Sequence, residues 1–257
     1  MSEVLISIVN YHNYDKTAKA VESLYDKIKG DYTRKIVIVD NSEDKGEAEK
    51  LGELRDRFKG VSLLVTNRNL GFGAGHNLAF DEFADDDTDF FVIMNPDTVL
   101  ENDAIGVMRE FLRKYKGCTM TVPRLLKPEG GIHKAYRRVL TVTDMFLRLF
   151  MPHLFNSRDA FHTMQDMDYS RPFRVPFAQG SFLMLRASAF RELGGFDDKF
   201  FLYLEDADLC MRINRTSYVC YVPTAKVTHL WERASGRNPR LFLIHVKSMI
   251  RYFRKWS

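Results

Sequence analysis

Phe90-Phe91-Val92-Ile93-Met94 is an unbroken apolar run that stops abruptly at Asn95-Pro96-Asp97. A short run of this kind reads as a strand buried in a parallel sheet. Ligands of open α/β sheets bind just beyond the carboxyl ends of such strands. A lone carboxylate at that point can hold a divalent cation against a diphosphate. Asn, Pro and Asp also favour turns, so a plain turn accounts for the same three residues.

The pattern repeats. Val4–Val9 ends at Asn10-Tyr11-His12-Asn13, Lys35–Val39 ends at Asp40-Asn41-Ser42, and Val61–Val65 precedes the glycine-rich segment from Asn67 to Asn77. Between these runs, Lys16–Lys29, Ala48–Phe58 and Leu78–Phe83 have helical spacing, as does Ala104–Tyr115 further on. Strands alternating with helices of this length predict an α/β fold, a central mostly parallel sheet flanked by helices. Right-handed crossovers then bring Asn10, Asp40, the glycine loop and Asp97 to one edge. A chain of 257 residues suits one large α/β domain with an appendage.

From Pro123 to Pro176 the pattern loosens into an excursion that holds an apolar stretch, Val139–Phe155. Strand character returns at Gln179–Leu185, and Ala187–Leu193 is a short helix ended by Gly194-Gly195. Phe200–Leu204 leads into Glu205-Asp206-Ala207-Asp208, which opens a helix through Asn214. Tyr218–Val222 and Lys226–His229 complete the core. Cys118, Cys210 and Cys220 form no CxxC pair, so neither a disulfide framework nor a zinc site is expected. The N-terminus enters a strand with no basic leader, and no apolar run approaches the roughly 18 residues of a membrane span.

The glycine segment follows the third strand, whereas a dinucleotide fingerprint follows the first, so a nicotinamide site is not expected. Its glycines read equally well as a tight turn needing positive φ. Glu205 and Asp206 are adjacent carboxylates behind the aromatic-rich Phe200–Leu204. Partial desolvation would raise their pKa and a helix N-terminus would lower it, so spacing alone does not assign them. Asp208 is read as a helix-start residue pairing with Arg212 one turn on.

The ordered set Ile8-Val9-Asn10-Tyr11, Val39-Asp40-Asn41-Ser42, Asn69 to Asn77, Asn95-Pro96-Asp97-Thr98, Gly194-Gly195-Phe196-Asp197, Phe201 to Leu209 and Val227-Thr228-His229 resembles family 2 glycosyltransferases. It is most similar to their bacterial rhamnosyltransferase-like group, over about Val4 to Ser235. The resemblance implies a GT-A fold and inverting transfer from a nucleotide-diphosphate sugar, with dTDP-β-L-rhamnose favoured. By that likeness Asn10 and Tyr11 lie at the pyrimidine base and Asp40 accepts its ring N–H. Asn69, Gly75 and Asn77 follow ribose and diphosphate. Asp97 holds Mg2+ or Mn2+ with His229 and Asn95. Asp206 is the general base, with Glu205 beside it. Asn95 stands where many members carry Asp, and an amide is the weaker metal ligand.

The resemblance divides the chain into a catalytic domain, 1–235, and a basic amphipathic helix, 236–257. Residues 1–100 form its nucleotide half, and 101–235 its acceptor half with the variable excursion 123–176. Seven cations and no acid follow Glu232 in a chain of net charge +4, which leaves the body mildly acidic and argues against general nucleic-acid binding. On a helical wheel Arg240, Lys247, Arg251, Arg254 and Lys255 share one stripe. Phe242, Val246, Met249, Ile250, Phe253 and Trp256 lie opposite. That pattern fits an anionic membrane surface, and equally a helix packed on the core or on a second subunit in a homodimer. A lipid-linked glycan acceptor for cell-envelope polysaccharide would give such a tail a use, at the inner face of the cell membrane in the cytoplasm. Against a membrane scaffold acting through the tail, the transferase reading predicts that deleting 237–257 keeps turnover of a soluble acceptor analogue and loses membrane association. The alternatives are a UDP-hexose or other donor, and a non-catalytic sugar- or nucleotide-binding module.

Overall fold

The computed structural model describes residues 3–138, 141, 160–230 and 239–256. All of the Val139–Phe155 stretch except Thr141, and Arg233 and Arg237 of the tail, lie outside the described residues.

The alternating pattern of the first hundred residues becomes β1 (Glu3–Asn10), α1 (Tyr14–Lys27), β2 (Thr33–Asp40), α2 (Lys45–Arg57), β3 (Val61–Val65), α3 (Phe72–Phe83), β4 (Thr88–Met94) and β5 (Thr98–Leu100). Asp44 caps α2 by accepting from the Gly46 N–H at 2.8 Å. β1, β2, β3 and β4 are parallel, in the order β3-β2-β1-β4. Val4, Leu5, Ile6 and Ile8 are fully buried, as are Ile36 to Val39, because helices cover both faces. Each such side chain stabilises the fold by roughly 1.5–3 kcal/mol relative to exposure. The chain winds from β1 out to β3 and then returns to place β4 on the other side of β1. The carboxyl ends of β1 and β4 therefore flank a topological switch point, where a crevice opens.

Beyond α4 (Ala104–Lys114) the sheet becomes mixed. β6 (Cys118–Leu126) is followed by the short strands β7 (Tyr136–Arg137), β8 (Phe173–Arg174) and β9 (Phe177–Ala178). Then come β10 (Phe182–Arg186), α5 (Ala187–Glu192), α6 (Glu205–Ile213), β11 (Tyr218–His229) and α7 (Pro239–Trp256). β10 runs antiparallel between β4 and β6, and β11 lies parallel to β6 and antiparallel to β5. β6 carries Pro123 in its interior, which is why its sequence reads as the start of a loose segment. Pro123 stands opposite Val222, where the β6–β11 register shifts between Val222 and Lys226. A bulge tolerates a residue with no N–H to give. The same bulge makes β11 read as two strands in the sequence.

The C-terminal helix α7 packs on the core. Ser248 and Tyr252 are its buried centre, and Met249, Phe253 and Trp256 pack beside them. Phe242, Leu243 and Ile250 are exposed. Phe242 and Ile250 therefore split from the rest of the apolar stripe and stay outside the packed face, because the i, i+4 pair Ser248 and Tyr252 sets the direction of contact. Among the described residues no helix is long and apolar enough to cross a membrane.

Candidate active site at the carboxyl ends of the strands

Asp40 ends β2 with its side chain fully buried. Its Oδ1 accepts from Asn10 Nδ2 at 3.1 Å and from the Ser42 N–H at 3.0 Å. Its Oδ2 has no hydrogen-bond partner. A buried carboxylate oxygen without a donor is costly, and an incoming N–H would satisfy it. Asn10, expected at the nucleotide, is instead a bracket for Asp40. Its Nδ2 also donates to Glu47 Oε1 at 3.0 Å, and its Oδ1 accepts from Thr17 Oγ1 at 2.8 Å. Tyr11, one residue on, is 45% exposed and free to lie against a flat ligand.

The glycine segment is a helix start more than a loop, since α3 already includes Gly73, Gly75 and Asn77. Gly71 caps it with φ 88°, and a Cβ there would lie 2.2 Å from the Phe201 carbonyl oxygen. Asn69 Oδ1 accepts from the Gly71 N–H at 2.9 Å, and the Phe72 N–H donates to the Phe201 carbonyl at 3.1 Å. Gly75 is buried, and a Cβ there would lie 2.9 Å from Val9 Cγ2, so it serves the packing of α3 on β1. Asn77 likewise faces the protein. Its Nδ2 donates to the Phe196 carbonyl at 2.9 Å and to Asp198 Oδ1 at 2.8 Å, and its Oδ1 accepts from the Phe196 N–H at 2.8 Å. Both N–H groups of its amide are spent on the protein, which leaves no donor for ribose or diphosphate.

Asp97 and His229 meet because Thr98 of β5 stands opposite His229 of β11, and the Leu230 N–H donates to the Asp97 carbonyl at 2.7 Å. His229 Nε2 lies 3.3 Å from Asp97 Oδ1, and His229 Nδ1 is buried without a partner. Burial raises the Asp97 carboxyl, but the hydrogen bond and charge of His229 outweigh it and hold the group below the usual range. Asn95, at the end of β4, is half-buried beside them. The ring of His133 lies over His229 with centroids 5.6 Å apart. No pattern in the sequence singled out His133, which belongs to the segment read as an excursion.

A divalent cation is compatible with this donor set. Asp97 Oδ1 and His229 Nε2 lie 3.3 Å apart, close enough for one ion to take a donor from each. No group of three His, Cys, Asp or Glu among the described residues could hold a metal unaided. Sites of this economy are completed by substrate phosphates and water.

Glu205 and Asp206 open α6, and the structure separates them. Glu205 is 4% exposed, with Oε2 unpartnered, and burial and then the charge of Asp206 push its carboxyl well up. Asp206 stays partly exposed. Its Oδ2 accepts from the Gly180 N–H at 2.8 Å and its Oδ1 from the Ala207 N–H at 2.8 Å. Desolvation outweighs these amides and pushes it up to about 6. A carboxylate that is reachable, oriented and poised near neutrality has the properties of a general base. Gly180 and Ser181, unmarked in the sequence, tie the two chemistries together. Gly180 donates to Asp206, and the Ser181 carbonyl accepts from the Asn95 N–H at 2.9 Å.

A doubly wound half-sheet meeting a mixed one, with a carboxylate–histidine pair and a raised carboxylate at the junction, is the GT-A class of transferase fold. Two solved structures share it. A GalNAc-T7 complex with UDP, GalNAc and Mn2+ aligns over 100% of this chain with TM-score 0.73 and 16% identity; this chain spans 48% of that one. A mannosyltransferase from Pyrobaculum calidifontis with GDP-Man and Mn2+ aligns over 98% of this chain and 64% of its own, with TM-score 0.67 and 12% identity. The family model described as glycosyltransferase like family 2 matches residues 2–253, and the chain belongs to that family. It is 27% identical over 225 residues to an N-acetylglucosaminyl-diphospho-decaprenol L-rhamnosyltransferase of Mycobacterium tuberculosis, across 83% of this chain and 72% of the relative. It is 25% identical to the rhamnosyltransferase WbbL of Escherichia coli, across 98% of this chain and 93% of the relative.

Proposed function

We propose that this glycosyltransferase moves L-rhamnose from dTDP-β-L-rhamnose to a hydroxyl of a lipid-linked cell-envelope glycan, with inversion. The link of Gly180 to Asp206 and Ser181 to Asn95 carries the reading, because it sets a base beside the end of the strand that leads to Asp97. The names of the two rhamnosyltransferase relatives support the donor and the kind of acceptor.

Asp40 Oδ2 accepts the ring N–H of thymine, and Tyr11 covers the base face. Asp97, His229 and Asn95 would hold Mg2+ or Mn2+. Such a cation supplies charge neutralisation at the leaving diphosphate. Asp206 Oδ takes the proton from the acceptor hydroxyl as that oxygen attacks the anomeric carbon from the opposite face. One displacement inverts the centre and gives an α-L-rhamnoside. A retaining route needs a second carboxylate as nucleophile, and Glu205 is too enclosed for that role.

The outer face of α7 meets the cytoplasmic leaflet in this reading. Lys199, Lys247, Arg251 and Arg254 line a groove of about 630 Å³, with Ile250 among them. Mixed cationic and apolar exposure suits anionic headgroups. A second donor reading has its own support, since uracil carries the same ring N–H that thymine offers to Asp40. Incubation with dTDP-rhamnose, UDP-hexoses and GDP-mannose, Mn2+ and lipid-linked acceptors separates them by product mass. Rhamnosyl product from dTDP-rhamnose alone is expected; preferential turnover of a UDP-hexose rejects the rhamnose assignment.

A further inference from the structure

α6 begins from a strained turn. Tyr203 and Leu204 both have left-handed backbones, with φ 73° and 67°. Successive residues of this kind persist only where surrounding structure holds them, and such strain gathers at functional sites. Here much of the holding comes from the far end of the chain. Ser248 Oγ of α7 donates to the Leu202 carbonyl at 2.8 Å. The His245 ring lies on Tyr203, with centroids 4.8 Å apart. Two turns further along α7, the Trp256 indole N–H donates to Asp208 Oδ1 at 2.9 Å, and Lys255 Nζ lies 2.7 Å from the same oxygen. Lys255 also donates to Asp197 Oδ2 at 2.7 Å, so the loop before the turn is tied to the same residue. Arg212 Nε donates to Asp208 Oδ2 at 2.8 Å from within α6. Asp208 is fully buried, two residues from Asp206 on the same first turn.

We propose that α7 is a positioning strut for the general base, with Ser248 and Trp256 as its positioning residues. Ser248 fixes the left-handed turn before α6. Trp256 fixes the first turn of α6 through Asp208. Together they hold the Asp206 carboxylate where the Gly180 and Ala207 amides orient it. The inference rests on Asp206 as the base. It predicts, against the expectation that deleting 237–257 spares turnover, that the deletion lowers kcat, because it removes the α7 contacts to the turn and to Asp208. Small displacements of a proton acceptor are expensive, since a shift of about 1 Å costs on the order of 100-fold.

The test uses the full chain with Trp256→Phe, Ser248→Ala, the two combined, and Ser248→Thr. Trp256→Phe keeps an aromatic ring and removes the indole N–H donor. Ile105→Ala, in α4, which packs on β6, β10 and β11, is the destabilised control. Amide exchange by mass spectrometry, kcat, donor KM and Tm are read for each. The double variant is expected to exchange faster at 201–208 and to lose about tenfold or more in kcat, with donor KM within about twofold. Ser248→Thr restores kcat, and Ile105→Ala lowers Tm without lowering kcat. Unchanged exchange at 201–208 overturns the strut. So does faster exchange with kcat unchanged, or an equal kcat loss in Ile105→Ala. Full turnover by Asp206→Asn overturns the base assignment alone, and the exchange result still decides whether α7 holds the turn.

Discussion

The two halves of the sheet hold their chemistry by different means. In the parallel half, Asp40 follows from backbone pairing: Asn10 stands opposite Asp40 across β1 and β2, and eight paired residues fix that register. In the mixed half, Asp206 is fixed by two backbone amides, a left-handed turn and a helix some forty residues away in sequence. Asp40 is thus part of the sheet itself, and Asp206 is mounted on it from outside. Substitutions in the first half should weaken binding, and those in the second should slow turnover with binding spared.

The largest break in that comparison is Asp206→Asn. It removes the proton acceptor and keeps the shape, so kcat should fall by about 10²–10⁴-fold with nucleotide affinity unchanged by calorimetry. The wild-type pH profile gives the same information from the other side. The base works deprotonated and its carboxyl is raised to about 6. Turnover is therefore full above that value and falls about tenfold per pH unit below it. A profile flat down to pH 5 contradicts the assignment.

Asp97→Ala comes next, with about a 100-fold loss expected, because one carboxylate and one imidazole are the strong donors for a cation. Paramagnetic resonance of Mn2+ sharpens the point. Two strong protein ligands predict weak binding of Mn2+ alone and tight binding once a nucleoside diphosphate is present. Equal affinity with and without nucleotide would show a protein cage that the described residues do not form.

Asp40→Asn should act on binding only. An N–H bonded to a buried carboxylate is worth about 1.5–3 kcal/mol, so nucleotide Kd should rise roughly 10- to 100-fold. The preference for uracil or thymine over cytosine, which has no N–H at that ring position, should shrink, as calorimetry with UDP and CDP would show. A fall in kcat at saturating donor would instead tie Asp40 to the chemistry.

What the sequence discloses divides along the same line. The strands Val4–Val9, Lys35–Val39 and Val61–Val65, and the convergence of Asp40 with Asp97, are visible in it because apolar runs and their polar ends are local signals. His229 was reachable only through the likeness to a family, since its place beside Asp97 depends on the β5–β11 register. Gly180 and His133 carry no local signal, and their roles come from what β10 and the 127–133 turn pack against. Asn10 and Asn77 show the converse error. Both stand in motifs that the family likeness assigns to the nucleotide, yet each side chain bonds to the protein. The inner face of α7 was undecidable from its wheel, because cores, membranes and partner subunits all ask for one apolar stripe.

Asn77 offers the smallest and most discriminating change, since it joins the two halves. It lies on α3 in the nucleotide half and grips Phe196 and Asp198 in the base half. Asn77→Ala leaves the Phe196 N–H without its acceptor at a residue 2% exposed. The expected cost is about 1–3 kcal/mol of stability, seen as a lower midpoint in urea at unchanged slope. Nucleotide Kd should stay within about twofold, because both N–H groups and one lone pair of the amide are held by Phe196 and Asp198. A Kd that rises tenfold with stability intact would return Asn77 to the nucleotide, and the boundary between the halves would then run behind α3 instead of in front of it.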